Sequence, residues 1–183
     1  MSYYYHDLVV QKSWEELKKL QKEIDFLLIG GWAVYFYTHG LKSKDIDIII
    51  GYEQLSVLAG LYTLNKNDRL KKYEAVKEEV QIDIYLPHLS DLGVAVEKLL
   101  GHEREIEGFQ VLDIDYLFAL KIYTLSQRGR SEKGRKDFLD IIALWQTGQV
   151  KALTFKKILA DFKMTPDINN LKKFLGEANQ AEE

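Results

Sequence analysis

Two rhythms of hydrophobic and polar residues run along this chain, and the second takes over near residue 112. In the first stretch, short apolar runs of strand length are interleaved with helical spacing. Ser13-Trp14-Glu15-Glu16 has the form of a capping box, in which the serine accepts from free amides of a helix's first turn and the glutamate reaches back. It predicts a helix to about Lys22, with Trp14, Leu17 and Leu20 on one side. Ile24 to Ile29 is an apolar run of strand length ending at Gly30-Gly31. Trp32 to Thr38 reads as a helix that His39-Gly40 stops, Lys44 to Ile50 as a strand, and Gln54 to Thr63 as a helix. Leu70 to Ala75 and Glu79 to Leu86 form a predicted hairpin turning near Lys77. Asp91 to Leu100 reads as helical, and Glu105 to Leu112 as a strand broken at Gly108.

From Asp113 onward only helical spacing remains. Asp113 caps a strongly apolar helix, Asp115 to Gln127. A basic loop from Arg128 to Gly134 leads to a second helix, Arg135 to Gln146, with Phe138, Ile141, Ile142 and Trp145 on one face. Thr154 and Asp167 are placed to cap two short final helices, and the chain frays from about Ala178. Mixed elements followed by helices alone predict an α+β chain: a mixed sheet domain over residues 1–112 and a helical part over 113–183 that completes the active-site cleft.

Composition narrows the picture. The chain has 183 residues, 46% of them hydrophobic and 29% charged, as expected of a chain that buries one ordinary core. It has no cysteine, which excludes disulfides and thiolate metal sites and fits a reducing, cytoplasmic setting. Met1 to Asp7 lacks the basic start and apolar run of a signal peptide, and no window approaches the roughly 20 apolar residues of a membrane span. A net charge of −3 leaves nucleic acid the less favoured partner, since any contact would have to come from the basic segment around residues 128–136.

The chemistry concentrates on two strands. Asp45 and Asp47 lie two apart and therefore share a face, while Ile46, Ile48 and Ile50 share the other. Neighbouring carboxylates repel when ionised and call for a cation; a hard divalent ion with oxygen ligands, Mg²⁺ or Mn²⁺, suits them. In Val80 to Leu86 the pattern recurs, with Val80, Ile82, Ile84 and Leu86 on one face and Asp83 on the other with Gln81 and Tyr85. If the strands are neighbours, three carboxylates meet, as two-metal transfer of a phosphoryl or nucleotidyl group requires. The Gly30-Gly31 turn opens a helix whose amides can approach phosphate oxygens with no side chain between.

Gly30-Gly31, a short helix, Asp45-x-Asp47 and a separate Asp83 flanked by isoleucines resemble the nucleotidyltransferase superfamily related to DNA polymerase β, and within it the small prokaryotic abortive-infection, toxin–antitoxin and antibiotic-modifying members. The resemblance spans about Phe26 to Leu86 and continues through Lys136-Asp137-Phe138-Leu139-Asp140-Ile141. It implies Mg²⁺-dependent transfer of a nucleoside monophosphate from a nucleoside triphosphate to a hydroxyl acceptor of unknown identity, with release of pyrophosphate. Asp45, Asp47 and Asp83 take the family's metal-ligand and catalytic roles, and Gly30 and Gly31 its nucleotide-binding turn. Many members carry Ser at the second turn position, where Gly31 offers backbone alone. Lys42 stands where many small members have Arg. Lys121, the one charge in the interior of an apolar helix, either reaches the triphosphate or snorkels to solvent. On the first of these readings, Lys121→Ala weakens triphosphate binding and leaves the fold intact. Asp137 and Asp140 read as helix-start charges or as groups orienting Lys121 or Arg128. Trp32 either packs in the core or stacks a base. The competing functional reading is a catalytically silent nucleotide- or partner-binding member, such as a toxin–antitoxin component.

Overall fold

The computed structural model describes residues 2–129 and 131–160. The chain divides into two compact units, the second beginning at Asp113.

The first unit is built on a seven-stranded mixed sheet. Its elements are α1 (Ser2–Glu23), β1 (Leu27–Ile29), α2 (Gly30–Thr38), β2 (Ile46–Ile49), α3 (Tyr52–Leu61), β3 (Leu64–Asn67), β4 (Lys72–Lys77), β5 (Val80–Tyr85), β6 (Glu103–Ile106) and β7 (Phe109–Leu112). The strand order is β3-β4-β5-β2-β1-β7-β6. β2 runs parallel to β5 and β1 parallel to β7; the remaining neighbours are antiparallel. The alternation read from sequence is the alternation observed. Ile46, Ile48, Ile82 and Ile84 are fully buried on one face, and Leu17 and Leu20 of α1, which packs against β5, are equally buried. An aromatic cluster of Trp14, Trp32, Phe36 and Phe109 joins α1, α2 and β7, with centroid separations of 4.9–6.1 Å. Each such pair adds about 0.5–1.5 kcal/mol beyond its buried area.

Several local expectations give way, some to tertiary context and some to local turns. Ser13 is not a cap: α1 already starts at Ser2, and Ser13 is fully buried, accepting a hydrogen bond from the Trp32 indole at 2.9 Å. That bond fixes Trp32 as a core residue. Asp91 to Leu100 yields only a short 3-10 turn, Val96–Lys98, because Asp91 accepts from the Gly93 amide and Gly93 takes a φ of 90°, which compete with helix. The Glu105 to Leu112 segment is a hairpin rather than one strand. Glu107 and Gly108 both have positive φ, and the tight turn they form matches the twist of β6 and β7. β3 was not expected; its polar sequence Leu-Asn-Lys-Asn suits an edge.

Glu16, also taken for a cap residue, is buried in a polar cluster instead. It accepts from Tyr62 and lies 3.3 Å from both Lys19 and Lys77. Burial works against its charged form, but these three donors outweigh it and hold the Glu16 carboxyl below its ordinary range. A group depressed on folding contributes stability that is present above its unfolded pKa and lost as pH falls through the folded one. Glu16→Gln is therefore expected to flatten the acid limb of a stability–pH curve below about pH 4.5, the ordinary glutamate value, and Glu16→Ala to cost about 1–3 kcal/mol at neutral pH by stranding the Tyr62 hydroxyl. Urea titrations across pH check both.

The second unit, as far as it is described, is helical: α4 (Ile114–Arg128), α5 (Glu132–Gln146) and α6 (Ala152–Ala160). Asp113 caps α4 as expected, accepting from the Asp115 amide. The basic loop is shorter than expected, because Arg128 still belongs to α4 and Ser131 caps α5 by accepting from Gly134. α6 begins before Thr154, so that residue is no cap. Arg130, Asp167 and the segment from Ala178 lie outside the described residues. Among the described residues, no helix is long and apolar enough to cross a membrane.

Candidate active site

β1 ends where the site begins. Ile29 is paired with Asp47 across the antiparallel β1–β2 ladder, and the next residue, Gly30, opens α2 with a φ of 69°. That conformation favours glycine. There is also no room for anything else, since a Cβ at Gly30 would overlap the Asp47 carboxylate. Hence the glycine turn and the acidic strand are one device: the missing side chain is the space that Asp47 fills. α2 has no side-chain cap, and a carboxylate against its first residue is favourable to the helix dipole. Gly31 follows, buried in the first turn of α2. Gly30→Ala is expected to combine a strained φ with a steric clash and to destabilise the first unit by about 1–3 kcal/mol, readable as a lowered urea midpoint at unchanged slope.

On the other side of β2, the parallel ladder with β5 sets Asp47 in register with Asp83. Asp45 immediately precedes β2, two residues before Asp47, and is half-buried like both of them. The ladder continues: Asp83 is in register with Glu74 on β4. Asp47, Asp83 and Glu74 thus form a row across three adjacent strands, on the face opposite the isoleucines.

A cation is already built into this row. Lys72, on β4 two residues before Glu74, is only 5% exposed. Its Nζ lies 2.6 Å from Asp83 Oδ2 and 3.0 Å from Glu74 Oε1. Burial alone would pull the Lys72 ammonium down, but the two carboxylates more than offset it and its pKa is raised, so the residue is charged at neutral pH. Gln81 donates to the other Asp83 oxygen at 2.8 Å, and Asn67 donates to Glu74 at 3.0 Å. Sequence reasoning passed over Lys72 and Glu74. The sequence carries no signal for them, because the register that sets Glu74 opposite Asp83 comes from a two-residue turn at Glu78 and Glu79, which lack the glycine or asparagine that marks such turns.

The donor set is hard oxygen throughout, which suits Mg²⁺ or Mn²⁺. Asp45 and Asp47 fit an ion on that ground. Asp83 has a hydrogen-bond partner on each oxygen, and among the described residues no group of three or more His, Cys, Asp or Glu is arranged to hold a metal. Lys42, in the loop before Asp45, is exposed, with its ammonium 5.8 Å from the Tyr35 ring centroid.

Lys121 belongs to the second unit and does not snorkel. It is buried between α4 and α5, 3.1 Å from Asp137 and 2.7 Å from Asp140, while Arg128 reaches the other Asp137 oxygen at 2.8 Å. Asp137 and Asp140 are themselves buried, so of their two readings they take the one in which they orient Lys121 and Arg128.

No family model and no curated protein sequence matches the chain. Solved structures do match. The Megavirus polyadenylate synthase aligns with a TM-score of 0.55 at 12% identity over 78% of this chain and 32% of that one, so this chain spans about a third of its length. The antibiotic-resistance factor ANT(2'')-Ia aligns with a TM-score of 0.57 at 12% identity, over 96% of this chain and 95% of that one. An antigenic nucleotidyltransferase-like protein from Paracoccidioides brasiliensis gives a TM-score of 0.50 at 15% identity, covering 96% and 93%. At such identities the likeness is one of fold. The chain has the nucleotidyltransferase fold, a mixed sheet with flanking helices, as its motifs implied.

Proposed function

We propose that the chain transfers a nucleoside monophosphate from a nucleoside triphosphate to a hydroxyl acceptor, with Asp45, Asp47 and Asp83 as its catalytic carboxylates. The observation that carries this reading is the placement of Asp47, set against the opening glycine of α2 and in register with Asp83. It puts acidic groups next to a helix start that can receive phosphate, which is what the reaction demands. The fold is the one in which that reaction is expected from the motifs, although fold alone does not fix substrate.

Asp45 and Asp47 would hold a divalent ion, which would supply charge neutralisation at the triphosphate. The amides opening α2 at Gly30 and Gly31, together with the exposed Lys42, meet the phosphates. The acceptor oxygen attacks the α-phosphorus, the bond from that phosphorus to the bridging oxygen breaks, and pyrophosphate departs with the electron pair. Asp83, oriented by Lys72 and Gln81, stands to accept the hydroxyl proton. Lys121 is assigned in this reading to the ion cluster of the helical unit rather than to the phosphates.

Incubating the chain with each α-labelled nucleoside triphosphate and Mg²⁺ in a cell extract tests this. Label transferred to a distinct product, and lost in Asp47→Asn, supports the reading. Absence of transfer together with absence of triphosphate binding overturns it, and binding without transfer to any product leaves the silent, nucleotide-binding member of the fold.

A further inference from the structure

Lys72 raises a question that the proposed reaction does not answer. An ammonium 2.6 Å from one Asp83 oxygen, and only 5% exposed, sits where a second divalent ion would have to bind in order to share Asp83. The other Asp83 oxygen is already an acceptor from Gln81 at 2.8 Å. A metal entering the inner sphere of Asp83 would therefore have to share an oxygen with an existing donor, and on the Oδ2 side would be brought close to a fixed positive charge that repels it. The lysine is held from its other side as well: Glu74 lies 3.0 Å away, and Asn67 fixes that carboxylate. Swinging Lys72 aside would take the charged partner from Glu74 as well as from Asp83.

We propose that Lys72 is a built-in replacement for the acceptor-side ion, so that the site takes one divalent ion per nucleotide, through Asp45 and Asp47, and Asp83 acts as a lysine-oriented carboxylate rather than a metal ligand. This rests on the nucleotidyl-transfer reading and sharpens it. In the two-ion scheme a metal both lowers the acceptor's pKa and balances the developing charge. Here an ammonium does the second task, and it also fixes which Asp83 oxygen is turned toward its β4 neighbour. Lys72 is thus a positioning residue, acting on the acceptor through Asp83.

The decisive measurement is stoichiometry rather than turnover. Mn²⁺ binding to the intact chain is counted by electron paramagnetic resonance in the presence of a saturating non-hydrolysable nucleoside triphosphate analogue. One ion per chain is expected for the native protein. Asp47→Asn is expected to weaken Mn²⁺ by about 100-fold, as loss of a charged ligand from a small oxygen site should, whereas Asp83→Asn leaves the affinity near the native value. Lys72→Arg, which keeps the charge, retains one ion. Lys72→Met frees Asp83 and Glu74 and is expected to take up a second ion. Should that variant fail to fold, the native count and the Asp83→Asn affinity still decide the matter. Two ions in the native chain, or a loss of Mn²⁺ affinity in Asp83→Asn equal to that in Asp47→Asn, overturns the inference while leaving nucleotidyl transfer standing. A native chain that binds neither the analogue nor Mn²⁺ overturns both.

Discussion

The double variant Asp45→Asn/Asp47→Asn is expected to lose nucleotidyl transfer by about 10²–10³-fold or more, the scale on which removing preorganised charge from a reacting centre acts. It is also expected to lose the thermal stabilisation that Mg²⁺ and a nucleoside triphosphate confer on the native chain. A ligand that binds only the folded state stabilises by mass action, by about 2.7 kcal/mol at 100 times its dissociation constant, which is several degrees of melting temperature for a chain of this size. Without ligand, the structure sets two opposing terms for the variant. Removing both neighbouring negative charges relieves their repulsion. But the Asp47 carboxylate lies against the first residue of α2, where a negative charge is worth about 0.3–1 kcal/mol to the helix. The ligand-free variant should therefore melt within a few degrees of the native chain. Thermal melts with and without Mg²⁺ and nucleotide separate the terms. A variant that still responds to the ligand as the native chain does would make these aspartates structural, and the proposed function would lose its support.

How far the sequence reached depended on whether the deciding contact was local. Asp45 and Asp47 share a face because strand periodicity requires it, and Ile46, Ile48, Ile82 and Ile84 announced the buried face just as clearly. Gly30 was legible as a turn, yet its reason lies across the β1–β2 ladder in the volume of Asp47, which no local pattern states. Ser13 shows the opposite failure. Its local pattern is a good helix start, and the sequence around it says nothing of an indole 19 residues away that needs an acceptor. Lys72 was overlooked because Lys71-Lys72 looks like solvated charge. Only the pairing of β4 with β5 turns one of the two into a buried partner of Asp83. Residues set by strand or helix periodicity were legible, whereas the local turns at Asp91–Gly93 and Glu107–Gly108 and the contacts that cross to a neighbouring strand or helix were not.

Lys121→Met is expected to have the largest effect on folding of any single change considered. Its ammonium is enclosed with Asp137 and Asp140 and has little solvent to replace them. Burial alone would depress its pKa, but the two aspartates overcome this and raise it. A group raised on folding contributes stability that is present below its ordinary value of 10.5 and lost only as pH climbs through the folded pKa, so this contribution is constant across neutral pH. Removing one partner of a buried ionic cluster costs about 3–5 kcal/mol, a large share of the 5–15 kcal/mol that holds a typical domain together. The fold therefore does not tolerate loss of Lys121, because its burial makes the residue part of the α4–α5 contact. Arg128 supplies the control. It pairs with Asp137 at 2.8 Å, so Lys121→Met/Asp140→Asn leaves one positive and one negative charge facing each other and should recover much of the loss. Urea unfolding of the single and double variants measures the recovery, and a single-variant cost below about 1 kcal/mol would contradict the clamp, because exposed pairs contribute no more than that. The double variant also tests whether Lys121 reaches the triphosphate. If it folds and binds a nucleoside triphosphate as the native chain does, the lysine serves the helical unit alone. A tenfold loss of nucleotide affinity in a folded double variant would return Lys121 to the phosphates.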